Sequence, residues 1–543
     1  MLRNVRLLMM IGTLLAAVPA AEAMEAASSP QASESPLQAA VTIDAQDVFR
    51  PVSRGLFGVN VEWAMNAHGL WDPARNTARP ALVELAKRMG VSLVRFPGGF
   101  LADYYHWGDG IGPPLLRRLG PNAFDDEQVR NLFGIEELAG FTREIGAEPF
   151  MTVNMISGTP QEAADWVGFC NKEGRCPTRY WELGNEPYMK TEGKNVGLTP
   201  ETYVKRAAAF ATAMKAIDPT IKIGAVGGQN FGRYHLIEHD RWNQVVLSQL
   251  GSTVDFLAVH NGYAPLVTDP AVSFNDVYLA LLAFPRLVEE NLKTLDQQVE
   301  TYAPGDAGRI RLAVTEWGAL FALDPKHPWI DHGKTWGSGL YVASMLRTYL
   351  NAKRLDIAEF FKWTDHWVFM GLIGADDIPK PSFLVLELFS KHLGARVVRT
   401  DARGPTYDSP AVGWVDAVPG APYLEAVSTV SEDGGTLAVF LINKHPSQAL
   451  DVTLQLSGFE PAAEGKSWVL SAPSLDANNG GGLDRVPDWP LSPQVHAPEG
   501  SLFDAGKPGT IAPREEPLTG VSRAFHRQVP PLSVTVLELE RKK

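Results

Sequence analysis

The sequence predicts an α/β chain: a (β/α)8 barrel over residues 55–384, then an all-β sandwich over residues 385–543. Three observations predict it. Eight short apolar runs recur between about residues 55 and 370, with helical patterns between them. Several of these runs are apolar at consecutive positions, as parallel strands covered on both faces are. Past residue 385 the texture changes to alternating strands divided by Gly-, Pro- and Asp-rich segments, which reads as a sandwich. At 543 residues, 45% of them hydrophobic, the chain has ample material for two cores.

The elements follow in order. Residues 1–23, MLRNVRLLMMIGTLLAAVPAAEA, place Arg3 and Arg6 before an apolar run and end in Ala21-Glu22-Ala23. That is the pattern of a secretory signal peptide, with an apolar run too short for a permanent anchor. Residues 24–38 are rich in Ala, Ser, Glu and Pro and read as a disordered linker. Residues 39–54 begin with a strand, AVTIDAQ, expected to pair with the sandwich. The eight barrel strands are expected in LFGVNVEW, LVRFPGG, EPFMTVNM, YWELGNEP, KIGAVGG, FLAVHNGY, IRLAVTEWG and AEFFKWTDHW. Thr159-Pro160-Gln161-Glu162 reads as a helix start, with a Thr cap, Pro in the first turn and Glu at the third position. In the sandwich, Asp433-Gly434-Gly435 divides two alternating runs as a hairpin turn does.

Composition narrows the function. The net charge is −13 with no long run of one sign, which argues against nucleic acid and against an anionic membrane as partner. Fourteen Trp supply flat faces suited to sugar rings as well as to a core. The two cysteines, Cys170 and Cys176, are a disulfide candidate in an oxidising compartment. The expected location is secreted or periplasmic, and no Asn-x-Ser/Thr sequon occurs.

In a barrel of this TIM type, strand ends at the C-terminal face carry the chemistry. Glu62, Arg95, Asn154, Asn185, Glu186, His260, Tyr263, Glu316 and Asp365 gather there. A lone strand-end Glu is more often a cap or an ion-pair partner. Two of them, Glu186 closing strand four and Glu316 on strand seven, match the acid/base and nucleophile of a retaining glycosidase, whose carboxyl groups lie about 5–5.5 Å apart. Glu182 alternates into the barrel wall and is expected to pair with an Arg. His235-Leu236-Ile237-Glu238-His239 has the spacing of an inverted zinc-protease motif, but it is expected in a loop after strand five, and chance matches of this length are common. The expectation is no metal and no cofactor.

The longer stretch VRFPGGFLADYYHWGDGIGP resembles the signature of the family fifty-one α-L-arabinofuranosidases of glycoside hydrolase clan A. GLFGVNVEW, AEPFMTVNMISGTPQEAADWVGFCN, GNEP and VPPLSVTVLELE share that resemblance. It implies retaining hydrolysis of terminal arabinofuranosyl groups on a poly- or oligosaccharide. It also implies Glu186 as acid/base and Glu316 as nucleophile, with Glu62, Arg95, Gly99, Asn154, Asn185, His260, Tyr263 and Trp363 around the substrate. Another clan A retaining glycosidase, a xylosidase or another furanosidase, stays open, as does a non-catalytic carbohydrate-binding barrel. Oligomerisation is also left open.

Overall fold

The computed structural model describes residues 37–121, 128–191, 195–228, 238–324, 326–365, 370–374, 377–480 and 509–543. Eight parallel strands form the barrel: Gly58–Asn60, Leu93–Phe96, Glu148–Val153, Tyr180–Leu183, Lys222–Val226, Phe256–Val259, Arg311–Leu320 and Leu355–Phe360. Each pairs with its successor, and the eighth pairs with the first through Glu359 opposite Gly58, so the sheet closes. Six lie within the runs that the sequence singles out; the seventh extends past its run to Leu320, and the eighth begins before its run, at Leu355.

The barrel interior has two levels with different chemistry. Leu93, Phe150, Phe256, Ala258, Ala313 and Ile357 form an apolar plug toward the strand starts. Gly224 makes room for it: a Cβ there would lie 1.9 Å from the Phe256 ring. Above the plug, the register sets Asn60 beside Arg95 and Thr152 beside Glu182, so the upper level is polar. A filled bottom and a polar top direct any ligand to the C-terminal mouth.

Helices cover the outside. Pro160–Val167 starts as its sequence suggests, with Thr159 Oγ1 accepting from Glu162 N at 3.1 Å. One turn on, Cys170 and Cys176 are joined by a disulfide bond. It ties the end of this helix to the approach of strand four. The last barrel helix runs Pro381–His392 and the first following strand is Arg396–Arg403. The boundary expected at residue 385 therefore falls inside a helix, because apolar Phe383, Val385, Leu386, Leu388 and Phe389 pack it against the barrel without a break.

In the C-terminal β-rich domain nine strands form one continuous sheet, and Thr406–Ser409 and Val418–Pro422 pair as a separate two-stranded sheet. The edge strands of the larger sheet, Arg514–Thr519 and Ala524–Val529, lie at opposite ends of the strand order, yet Leu518 and Phe525 share one apolar cluster. The larger sheet therefore curls around a single core. Leu37–Pro51 runs antiparallel to Arg396–Arg403 and parallel to Leu450–Ser457, so the N-terminal strand is internal to this sheet. It begins within the stretch expected as linker.

Barrel and sheet share a continuous core. Trp336 Nε1 donates to Leu532 O at 2.7 Å across the junction. Lys444, fully buried, donates to Leu282 O at 3.1 Å and to Glu425 Oε1 at 2.9 Å. Removing one partner of a buried pair leaves the other charge unpaired, at a cost of about 3–5 kcal/mol. Lys444→Met is therefore expected to destabilise the protein by about that amount, read from the denaturant midpoint. A change below about 1 kcal/mol would show that the pair does not hold the junction.

Candidate active site

The stretch YWELGNEPY leaves the sheet through a left-handed turn. Gly184 has φ +92°, and a Cβ there would press to 3.0 Å from the Met155 side chain. Tyr203 anchors the strand end, donating to Leu183 O at 2.9 Å and accepting from Val226 N at 2.8 Å. Tyr188 packs edge-on against Trp242. Held at both ends, the turn lifts Asn185 and Glu186 over the mouth.

Arg95, on strand two, is 0% exposed and makes four hydrogen bonds and one further ion contact on the polar level. Nε and Nη2 meet Glu182 Oε2 at 2.8 and 2.7 Å. Nη1 donates to Asn60 Oδ1 and to Glu316 Oε1, each at 2.8 Å, and Nη2 donates to Asn185 Oδ1 at 2.8 Å. Glu182 is completed by Thr152 Oγ1 at 2.9 Å and Thr315 Oγ1 at 2.7 Å, so its role is to hold Arg95. Glu359 lies in the same level, fully buried, and neither of its carboxyl oxygens has a hydrogen-bond partner among the described residues. Burial pushes its pKa well above the usual carboxylate range, against the pull of Arg95, so it stays neutral.

Glu316 receives a second donor, Tyr263 OH to Oε2 at 2.7 Å. Tyr263 sits on the short strand Gly262–Pro265, which runs parallel to the outer half of strand seven. Burial, reinforced by the charge of Glu316, raises its pKa well above normal, so it remains a donor. His260 Nδ1 lies 3.0 Å from Glu186 Oε1 and 3.7 Å from Glu316 Oε2. Burial opposes the charged imidazole, but Glu316 and the bond to Glu186 outweigh it and raise its pKa. The Glu186 side chain is 17% exposed and that of Glu316 7%, so Glu186 is the more open of the two.

Across the mouth, Glu62 follows strand one. Its Oε2 meets His68 Nε2 at 2.7 Å and the Lys362 ammonium. Gly99 lies against Oε1: a Cβ there would be 2.5 Å away, and its φ is +58°. Glycine is required at that approach.

Two domain models match this chain: an α-L-arabinofuranosidase 1 domain over residues 85–249 and an α-L-arabinofuranosidase C-terminal domain over residues 315–486. An α-L-arabinofuranosidase C of Emericella nidulans is 26% identical over 422 residues, covering 71% of this chain and 80% of the relative. An intracellular exo-α-(1→5)-L-arabinofuranosidase of Streptomyces lividans is 25% identical over 475 residues, covering 81% and 69%. The crystal structure of an α-L-arabinofuranosidase from Thermotoga maritima, in an arabinose complex, superposes with TM-score 0.75 at 25% identity, covering 93% of this chain and all of that one. This chain is an arabinofuranosidase-like O-glycosyl hydrolase.

Within the hydrolase, the polar level and the mouth bring together Glu62, Arg95, Gly99, Asn185, Glu186, His260, Tyr263 and Glu316. Two other candidates lie apart from them. Asn154 spends its amide on the loop after strand three: Oδ1 accepts from the N–H groups of Ile156, Ser157 and Gly158, and Nδ2 donates to Tyr105 O and Ser157 Oγ. Trp363 is 1% exposed and packs its ring against that of Phe383. Among the other tryptophans near strand ends, Trp317 is buried, Trp107 stacks on Trp166 and Trp63 is half-buried, whereas Trp367 lies outside the described residues. Most of the His235–His239 motif also lies outside them. Among the described residues no cluster of three or more His, Cys, Asp or Glu could hold a metal, and no helix is long and apolar enough to cross a membrane.

Sequence reasoning missed Asp103, His68 and Lys362. Asp103 lies below the Asn185–Glu186 turn and accepts from Asn185 N at 3.5 Å. Burial pushes its pKa up to about 7, with the Glu186 charge adding and the Asn185 N–H opposing. An unfolded Asp releases its proton near about 3.9. Between about pH 4 and 7 the folded protein thus holds the extra proton, and this group subtracts stability as pH rises through that window. Asp103→Asn is expected to flatten the pH dependence of the denaturant midpoint between pH 4 and 7. A slope unchanged from the parent would mean that Asp103 does not titrate there.

Proposed function

We propose that this hydrolase removes terminal α-L-arabinofuranosyl units from a poly- or oligosaccharide by double displacement, with Glu316 as nucleophile and Glu186 as acid/base. The observation that carries the reading is the His260 bridge. One imidazole nitrogen touches both carboxyl groups, at 3.0 and 3.7 Å. The two oxygens can be no further apart than those distances laid end to end. For these two oxygens that ceiling admits the roughly 5–5.5 Å spacing of a retaining pair and overlaps only the lowest part of the roughly 6.5–9.5 Å range of an inverting one. The arabinofuranosyl glycone is supported by the names of the relatives and by the arabinose complex of the T. maritima enzyme.

In the first step Glu186 gives its proton to the leaving oxygen while Glu316 attacks the anomeric carbon and forms a glycosyl ester. Arg95 and Tyr263 orient Glu316 and hold its charge before attack. In the second step Glu186, now ionised, takes a proton from water, which displaces Glu316 and restores the starting state. The more open position of Glu186 suits a group that meets both the leaving group and water.

The two substitutions are expected to differ. Glu316→Ala should abolish turnover of every substrate, since no glycosyl ester forms. Glu186→Ala should lose about 10²–10⁴-fold on poor leaving groups, yet release dinitrophenolate in a first-turnover burst. Azide should then restore its turnover and give a glycosyl azide of retained configuration. Azide rescue of Glu316→Ala with inversion would reverse the roles, and near-normal rates in both variants would move the site elsewhere.

We also infer that the chain is exported, on the strength of the signal pattern in residues 1–23. N-terminal sequencing of protein recovered outside the cytoplasm is expected to begin at Met24. A mature chain that starts at Met1 would overturn this.

A further inference from the structure

Glu62 is buried, yet it is surrounded by groups that favour its charge. Lys362, from the end of strand eight, places its ammonium on Oε2, and His68, from the turn after strand one, places Nε2 on the same oxygen at 2.7 Å. Both side chains are buried with it. Among the described residues Oε1 accepts no hydrogen bond; it faces Gly99, where a side chain would occupy the adjoining space. The wall continues from Gly99 to the Phe361 ring, which meets Tyr263 edge-on, and Tyr263 holds Glu316. The unsatisfied oxygen therefore lies on the same wall as the proposed nucleophile.

The other charges nearby are committed elsewhere. Asp365 and Glu316 both act on Lys362, but Asp365 is held by Lys380 at 2.6 Å and Glu316 by Arg95 and Tyr263. That leaves Glu62 as the direct partner of Lys362. Burial would raise the Glu62 carboxyl, but the Lys362 ammonium and the His68 bond bring it down to about 2. Burial and the neighbouring ammonium lower His68 to about 4, so the neutral ring donates through Nε2–H.

We propose that Lys362 and His68 are positioning residues that fix Glu62 as a permanently charged acceptor, with Oε1 turned to a hydroxyl of the sugar in the glycone pocket. This rests on the glycosidase reading given above. One oxygen is fixed by two donors, so the carboxylate cannot rotate, and the other oxygen is left for the ligand. A hydroxyl donating to a carboxylate forms a charge-assisted bond, stronger than one to a neutral acceptor. Without the ammonium, a buried Glu62 would take up a proton in mildly acidic solution and lose that bond.

The test measures binding apart from turnover. An aryl α-L-arabinofuranoside is titrated calorimetrically into Glu316→Ala protein from pH 4 to 7, with and without Lys362→Met. The parent's own pH profile, to which Asp103 and His260 contribute, is the baseline, and every slope in a variant is a difference from it. Adding Lys362→Met should weaken binding roughly tenfold or more toward pH 4. Adding Glu62→Gln to that variant should leave affinity low but with no added slope, since the titrating group is gone. If Lys362→Met does not fold, His68→Leu carries the same test with a smaller slope. An added slope that survives Glu62→Gln overturns the proposal. Absence of binding by the parent would count against the arabinofuranosyl glycone, the reading this proposal rests on, whereas parent binding with no added slope in the Lys362→Met variant, or in His68→Leu in its place, overturns the proposal itself. Turnover by Glu316→Ala would instead count against the catalytic assignment and leave these affinities to be read on their own.

Discussion

The guanidinium of Arg95 fixes the upper half of the barrel. A cation with no exposure is tolerable only when each N–H has an acceptor and its charge is matched. Glu182 and Glu316 supply the charge, and Asn60 and Asn185 the remaining acceptors. These partners come from strands one, four and seven and from the turn after strand four, so one side chain sets the mutual placement of distant segments. The proposed nucleophile is thereby positioned by the requirement that a buried cation be satisfied.

The same level shows why it holds only so many charges. Arg95 faces three carboxyl groups. Two are hydrogen-bonded to it, and the third, Glu359, is left without a hydrogen bond among the described residues and stays neutral. Gly58 is the steric condition for it, because a Cβ there would lie 2.6 Å from Glu359 Cγ. Were Glu359 charged, it would compete with Glu316 for the one cation, and its neutrality leaves the Arg95–Glu316 contact intact.

The barrel was legible because its strands leave a simple trace: eight short apolar runs, several of them apolar on both faces, separated by helical patterns. The paired Glu residues were legible for a related reason, since strand ends in this architecture point to one mouth. Asn154 and Trp363 also sit at strand ends, but a strand end has an inner and an outer side, and one residue of drift decides between them. Asn154 serves its own loop, and Trp363 turns toward the helix layer. Lys362, Asp103 and His68 carry no pattern at all. Each matters through a contact made across the fold, as Lys362 does with Glu62 at a sequence separation of 300 residues. The expected domain boundary failed for a different reason. A helix packed by apolar residues ends where its capping ends, not where composition changes.

The strand that precedes the barrel lies inside the sheet that follows it. Ser457 Oγ donates to Ile43 O across 414 positions of sequence. A ribosome delivers Leu37–Pro51 first and its two neighbours only after the whole barrel has been made. The early strand must therefore wait, its backbone groups served by water, while eight βα units assemble. Closing the sheet is a contact of very long sequence separation, and it fastens the beginning of the chain to its C-terminal third. The two domains are separate in architecture but not in assembly: cutting the chain between them would give a sheet with a missing middle strand and two exposed edges.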